Sequence, residues 1–448
     1  METVIGIIVG LIVLMLLVVG HEFGHYYQAV HNGVRVLEFG IGFPPRAKAW
    51  VLNPEFLKWK KKMKKWRAEK KAAGDADKAE KVAKEFAKLM EKKPRKWLPL
   101  AKEDWKKDQK TLVFSLNYLP VGGFCQMDGE SDSDERPGTF GSASLWQKTK
   151  ILFGGVAMNW LMAFVILTIL AWTGMPHFME NQYGFSGDET LVPGVVTVGE
   201  VIEGSPAAEA GFQEGDEILS VNGEKVVDAN GLISYNTENA GKEVEYEVKG
   251  QECWGKCPEC CEEKVGTKKV KLNDEGAEYQ LGVTLKQENQ ALYKYGWSAP
   301  VVGAGTTVQL TAETFKGLGQ MVVNLVHGVA QQFSGDAATR EAGRAEVQAA
   351  GDSVSGPVGI IGVLFPAMTA AGATNLAFLA ALISVSLACM NVLPIPALDG
   401  GRWFLIMFYR LRGKKLPKET EEKIVTRAFI VLLVLMVAVT IMDVVRLF

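Results

Sequence analysis

The sequence predicts a polytopic α-helical membrane protein with about four transmembrane helices and a mainly-β domain outside the bilayer. Two observations carry this. Long apolar stretches at 4–20, 151–172 and 429–442 with its flanks approach the roughly 20 residues a helix needs to cross hydrocarbon. A fourth at 376–398 ends in prolines. The other observation is the uneven charge: Lys and Arg crowd certain loops and are missing from others, while the formal net charge of −2 excludes no partner class. At 448 residues, 48% hydrophobic and 22% charged, the chain also has room for substantial soluble parts.

Orientation follows from the loops nearest the spans. Residues 402–423 hold Arg402, Arg410, Arg412, Lys414, Lys415, Lys418 and Lys423. Arg35, Arg46 and Lys48 follow the first span, and Lys148 and Lys150 precede the second. Residues 173–194 contain no Lys or Arg. The positive-inside rule therefore puts the first and last loops in the cytoplasm, residues 173 to about 355 outside, and both termini outside. The first apolar run lacks a basic leader and a small-residue cleavage site, so it is expected to be a retained span.

His21-Glu22-Phe23-Gly24-His25 follows that first run directly. Helix positions i and i+4 share a face, so both imidazoles can reach one metal ion, with Glu22 beside them to accept a proton from water. The spacing suits zinc. At about 1.5 Å per residue, His21 lies roughly 27 Å along a helix begun near Thr3, within or at the inner edge of a core of about 30 Å. Ionisable groups there are costly and usually functional. A hydrolytic zinc needs a third protein ligand. Besides Glu22, the spans offer Asp399 and Asp443. Asp443, close to Arg446 and the outer surface, reads as a snorkelling interfacial acid. Asp399 falls at the membrane level of the two histidines. The preceding Asn391-Val392-Leu393-Pro394-Ile395-Pro396 breaks its helix, and irregular backbone at that depth is tolerated only inside protein or beside a watery cavity.

HEFGH, together with Asn391, Pro394 and Asp399 in the pattern N-x-x-P-x-x-x-x-D-G, resembles the site-2 protease family of intramembrane zinc metalloproteases. The closer likeness is to its bacterial sigma-E protease branch. Gly40-Ile41-Gly42-Phe43, Pro120-Val121-Gly122-Gly123-Phe124, Gly154-Gly155-Val156-Ala157-Met158-Asn159 and Ser355-Gly356-Pro357 agree with it, so the resemblance covers nearly the whole chain. It implies His21, His25 and Asp399 as ligands of Zn2+, Glu22 as general base, and Asn391 with Pro394 at the substrate backbone. It further implies that Gly40, Ile41, Gly42 and Phe43 belong to a membrane-re-entrant β hairpin that pairs with unwound substrate. The substrates implied are single-span membrane proteins, such as anti-sigma factors trimmed by another protease, or remnant signal peptides.

One departure from the family is an insertion at about 53–110, between strand-like runs 34–41 and 111–117. It is rich in Lys and Arg, interspersed with Trp59, Trp66, Trp97 and Trp105, and 78–92 has helix-favouring composition. Three readings stay open: contact with anionic lipid headgroups, nucleic-acid binding as the weaker alternative, and a solvated charged hairpin. Residues 192–286 read as one extracytoplasmic domain. Gly204-Ser205-Pro206 through Asn222-Gly223 resembles a PDZ domain, which adds a peptide or protein ligand as a strand. Inside it, Cys253, Cys257, Cys260 and Cys261 either form disulfides in one of three pairings or bind zinc. Cys125 and Cys389 read as buried packing residues. His31, His177 and His327 read as ordinary surface or packing histidines.

The organisation expected is a first transmembrane helix at 1–33 with HExxH, a cytoplasmic-side hairpin region at 34–148 and a second transmembrane helix at 149–173. The PDZ domain at 192–286 leads to an amphipathic region at 287–355, lying on the outer membrane surface. A third transmembrane segment at 356–400, a cytoplasmic loop at 401–424 and a fourth transmembrane helix at 425–448 follow. The resemblance implies an intramembrane zinc endopeptidase of a bacterial inner membrane, its partners being transmembrane substrates and the lipid bilayer, with no nucleic acid. A non-catalytic PDZ-bearing scaffold with a structural zinc is the alternative. A metal transporter is disfavoured because acids and histidines are not spaced along a path.

Overall fold

The computed structural model describes residues 2–72, 94–100, 111–179, 181–253, 261–274, 276–287, 291–334, 336–352 and 356–447. The chain divides into two units, residues 1–163 with 310–448, and residues 164–309. Among the described residues four helices are long and apolar enough to cross a membrane: Thr3–His31, Leu145–Thr173, Ala373–Val392 and Lys418–Arg446.

In the first unit, α1 (Glu2–His31) is almost wholly apolar before its polar last turns. Glycines open its flanks to close neighbours. A Cβ at Gly6 would lie 2.4 Å from Pro366, and one at Gly24 would lie 2.2 Å from the Gly154 carbonyl oxygen. Helix contacts within lipid depend on small residues of this kind.

After α1, β1 (Val36–Leu52) and β3 (Val113–Met127) fold over one another, and β2 (Trp97–Pro99) edges the sheet beside β1. Residues 36–41 pair with 123–127, residues 46–51 pair with 113–117, and 38–41 also lie beside 113–116. The two-strand hairpin expected of 34–41 and 111–117 is thus part of a wider folded-over sheet. Gly42 and Gly122, at φ +75° and +80°, occupy the left-handed region where each chain doubles back. Between these strands, α2 (Pro54–Ala72) opens the Lys-rich insertion. The helix expected at 78–92, and Trp105, lie outside the described residues.

Loop 128–142 then reaches α3 (Leu145–Thr173). It is knotted by charge: the fully buried Lys148 and Asp132 bond to each other, and Lys148 also donates to Gly141 O at 2.9 Å. Asp132 further accepts from Arg410 and from the Leu416 N–H. Arg402 donates to Glu421 at 2.9 Å and to the Glu130 carbonyl. An apolar cluster including Ala29, Val34, Phe140, Ile151, Leu152, Ile406 and Leu416 packs in the same unit. Each buried aliphatic or aromatic side chain there contributes about 1.5–3 kcal/mol.

The second unit is mainly β. Two short strands, β4 (Met175–Pro176) and β5 (Glu189–Val192), flank β12 (Leu292–Tyr295) in one small sheet. A six-stranded sheet contains β6 (Val196–Val201), β7 (Glu217–Val221), β8 (Glu224–Lys225), β9 (Glu243–Cys253), β10 (Cys261–Lys271) and β11 (Val283–Gln287), in the order β10-β9-β7-β6-β11 with β8 on β7. Strand periodicity shows in β9, where Val244, Tyr246 and Val248 are buried and alternate with Glu243, Glu245, Glu247 and Lys249. An Asn222-Gly223 turn joins β7 to β8, both residues at positive φ. Helices α4 (Pro206–Glu209) and α5 (Ala229–Glu238) start at side-chain caps from Ser205 and Asp228. The β9–β10 tip carrying Cys257 and Cys260, and the side chains of Cys253 and Cys261, lie outside the described residues.

Residues 297–330 form most of α6 (Ala299–Gln332), which is not one of the four candidate spans, and α7 (Ala337–Asp352) follows. The region expected as one third transmembrane segment, 356–400, is instead two helices and a break: α8 (Pro357–Ala370), with a π turn at Ile360–Leu364, and α9 (Ala373–Val392). Leu393 is extended (φ −61°, ψ 148°), as a residue before proline must be, and Pro394 and Pro396 supply no N–H to continue a helix. The chain turns helical again at α10 (Asp399–Leu411), so the expected loop 401–424 is largely helix before α11 (Lys418–Leu447). Asp443 is also not the snorkelling acid expected. It is buried and accepts the backbone N–H groups of Gly356 and Gly359 at 3.1 and 2.8 Å, which pins the start of α8 to α11. The orphan N–H groups of a helix start attract a carboxylate more strongly than a distant membrane surface does.

Candidate metal centre

Three side chains meet in the first unit. His21 Nε2 lies 3.1 Å from His25 Nε2 and 3.1 Å from Asp399 Oδ2, and His25 Nε2 lies 3.2 Å from the same oxygen. The i, i+4 spacing on α1 presents both rings on one face, and the proline break brings Asp399 to them as the first residue of α10. Both rings are buried. Among the described His, Cys, Asp and Glu, these three form a group able to hold a metal ion. Three donors at 2.0–2.1 Å from a tetrahedral ion stand about 3.3 Å from one another. The donor set fits zinc in both kind and spacing.

The bed of the site is one face of α3. His25 Nδ1 is 2.8 Å from Ile151 O, and Asn159 Nδ2 is 3.2 Å from His21 Nδ1. Midway between those two residues, a Cβ on Gly155 would lie 2.6 Å from Nε2 of each histidine. Residues 151, 155 and 159 are four apart, one stripe down the helix. Glu22 and Asn391 share a cavity of about 280 Å³ with the three donors. Its lining also includes Cys125, Glu130 and Arg402. A cavity of about 840 Å³ shares Glu130, Leu398, Asp399 and Arg402 with it.

The sheet stands beside this cavity. Gly123 is the strand residue close to Glu22: a Cβ there would lie 3.8 Å from Glu22 Cγ. The Cys125 backbone also lies near Glu22. Gly40 and Ile41 lie one strand farther out, paired with Phe124 and Gly123, while Gly42 sits at the turn and Phe43 is exposed. Among the described residues no strand pairs with the other edge of 123–127. Pro394 is exposed, lies in the helix break and is not part of that cavity's lining. Asn391 lines the cavity while donating to Leu387 O at 3.0 Å. Cys125, expected to be buried packing, is half-buried at the cavity wall, where burial and the neighbouring Glu22 push its thiol pKa up. His31 stacks on Tyr27, His177 lies against Tyr293, and the exposed His327 bonds Glu346, as ordinary histidines do.

The sequence motifs that missed a role are those of α3. Gly155 and Asn159 belong to the 154–159 motif, but their period of four against Ile151 was the only signal of a shared face, and apolar helices carry many such periods.

Residues 9–59 and 86–436 match Peptidase family M50. The regulator of sigma-W protease RasP of Bacillus subtilis is 31% identical over 309 residues, covering 69% of this chain and 61% of that protein. The zinc metalloproteases RasP of Bacillus licheniformis and Shouchella clausii are 30% and 29% identical, each over 69% of this chain and 62% of theirs. The match thus spans under two thirds of these relatives' length. A family match over most of the sequence agrees with the HExxH helix and the distant aspartate at its side: the chain belongs to Peptidase family M50.

Proposed function

We propose that this chain is a zinc-dependent intramembrane endopeptidase that cuts transmembrane segments of single-span membrane proteins. The observation that carries this reading is the convergence of His21, His25 and Asp399 with Glu22 in one cavity at the end of a candidate span. The two imidazoles and the Asp399 carboxylate are the zinc-holding residues. When bound, zinc supplies a Lewis acid that polarises a peptide carbonyl and acidifies water. Glu22 accepts the proton of the attacking water and passes it to the leaving amide nitrogen. Water has a polar route to these groups through the larger cavity lined by Glu130, Asp399 and Arg402.

A transmembrane helix hides its peptide bonds in internal hydrogen bonds, so the substrate must unwind before it is cut. The sheet offers a partner for the freed backbone. Its unpaired edge at 123–127 is the side near Glu22, with Gly40–Phe43 acting as the strand behind it. Asn391 offers an amide to the same backbone. The six-stranded unit acts as a PDZ domain outside the membrane, where a peptide or protein ligand adds as a strand. The positive-inside bias puts the metal-holding side toward the cytoplasm of a bacterial inner membrane. Its substrates on this reading are single-span proteins such as pre-trimmed anti-sigma factors, and remnant signal peptides. The Lys-rich α2 rests against anionic headgroups.

The test uses purified protein and a panel of membrane-spanning peptides, read by mass spectrometry. Wild type should cut within the apolar segment, and Glu22→Gln should keep its zinc yet show no product. Binding of peptides without cleavage by the zinc-loaded wild type would favour a scaffold instead.

A further inference from the structure

Asn159 is fully buried, and its Oδ1 has no hydrogen-bond partner. Its other amide end, Nδ2, lies 3.2 Å from His21 Nδ1. This pairing suits only a His21 whose Nδ1 is bare. A neutral imidazole that ligates a metal through Nε2 carries its hydrogen on Nδ1, and that N–H must donate. Facing it with an amide –NH2 would set two donors together and leave a buried carbonyl oxygen orphaned, which is unfavourable. The two ends of a carboxamide are nearly the same size, and a half-turn of the amide exchanges them.

We infer that Asn159 is the positioning residue for His21, its Oδ1 accepting the Nδ1–H whenever Nε2 holds zinc. The one rotation removes the orphaned oxygen and fixes the ring's tautomer. It gives His21 what His25 already has in Ile151 O. Both acceptors come from one face of α3, eight residues apart, with Gly155 between them clear of any side chain. The rings therefore stand on a single rigid helix instead of on loops. Ser384 donates to the Asn159 backbone carbonyl at 2.8 Å, without touching the amide. The inference rests on the zinc reading of His21, His25 and Asp399.

Zinc affinity separates the possibilities without recourse to activity. Full-length wild type, Asn159→Leu, Asn159→Asp and Ser384→Ala would be titrated against a chromogenic zinc chelator in detergent, with thermal unfolding of the zinc-free forms alongside. Loss of an outer partner of a ligating histidine costs about 10–100-fold in affinity, and that loss is expected for Asn159→Leu. Asn159→Asp keeps an acceptor oxygen and should hold zinc within a few fold of wild type. Ser384→Ala should match wild type, because the amide is untouched. Equal affinity in Asn159→Leu and wild type would overturn the inference, as would an Asp variant that loses as much as Leu. If the zinc-free Asn159→Leu protein melts well below zinc-free wild type, the Asp variant alone decides. Failure of the wild type itself to bind zinc would overturn both this inference and the protease reading.

Discussion

Gly24 of α1 and Gly154 of α3 touch backbone to backbone: a Cβ on Gly24 would lie 2.2 Å from the Gly154 carbonyl oxygen, and one on Gly154 would lie 2.7 Å from Gly24 O. One turn away, His25 finds its Nδ1 partner in Ile151 O, which only such a close approach can bring within 2.8 Å. The glycines therefore set the distance between the metal-holding rings and the helix that orients them.

Gly155→Ala tests that distance. The new methyl would occupy the space 2.6 Å from both Nε2 atoms, crowding the two buried rings apart. Zinc content of the purified variant should fall by roughly 10-fold or more, because the donors can no longer close on one ion. Wild-type zinc content would mean that α3 yields at this point and does not set the site.

Asp443 supports a second prediction. It closes the N-terminus of α8 from α11, and α8 packs on α1 through Gly6 and Gly10. Asp443→Leu leaves two N–H groups without their acceptor, a loss of about 2 kcal/mol. Asn in its place keeps one oxygen and should recover part of the difference in thermal midpoint. Equal midpoints for the Leu variant and wild type would restore a purely interfacial role.

The Asp132 knot makes stability sensitive to acid. Burial pushes the Asp132 carboxyl up, but the hydrogen bonds from Lys148, the Leu416 N–H and Arg410 outweigh it and hold the pKa below its ordinary 3.8. A depressed folded pKa stabilises the native state above the unfolded pKa, and that stability is lost as pH falls from about 4 through the folded value. The wild-type melting midpoint should therefore drop on acidification from pH 5 toward 3. Asp132→Asn should begin lower and respond less steeply. Lys148→Met, which strands a buried carboxylate, should cost about 3 kcal/mol at neutral pH. Parallel pH profiles for Asp132→Asn and wild type would remove Asp132 as the source.

How much of this was legible follows from the range of each signal. HEFGH is local, and its i, i+4 geometry is fixed by any helix, so His21 and His25 were readable outright. Asp399 was readable because acids at membrane depth are few. Pro394 and Pro396 likewise announced the break in α9, though not that α10 would resume at Asp399 itself. Asp443 misled because its partners are backbone N–H groups some ninety residues away, and backbone leaves no mark in sequence. The layout of the sheet was hidden for a related reason. Gly42 and Gly122 show as glycines, but only their positive φ lets β1 and β3 double back and brings 123–127 beside Glu22.

Asn391 separates a substrate-holding residue from a structural one most directly. It sits in the last turn of α9, lines the cavity with His21, Glu22 and Asp399, and ties one amide hydrogen to Leu387 O at 3.0 Å. A primary amide has a second donor hydrogen and an oxygen to offer, which match the C=O and N–H that an unwinding helix sets free. Asn391→Leu keeps the helix, whose carbonyls already have their own partners, and should leave zinc content near wild type. Cleavage should fall strongly, and the fall should be larger for helical than for pre-unfolded peptides, since only the former depend on the site to compensate the bonds they break. A Pro or Gly near the scissile bond lowers the cost of unwinding by about 1–3 kcal/mol and should restore part of the lost rate. Equal losses on both peptide classes, with no gain from the helix breaker, would assign Asn391 to the support of the α9 end and leave the substrate backbone to the 123–127 edge alone.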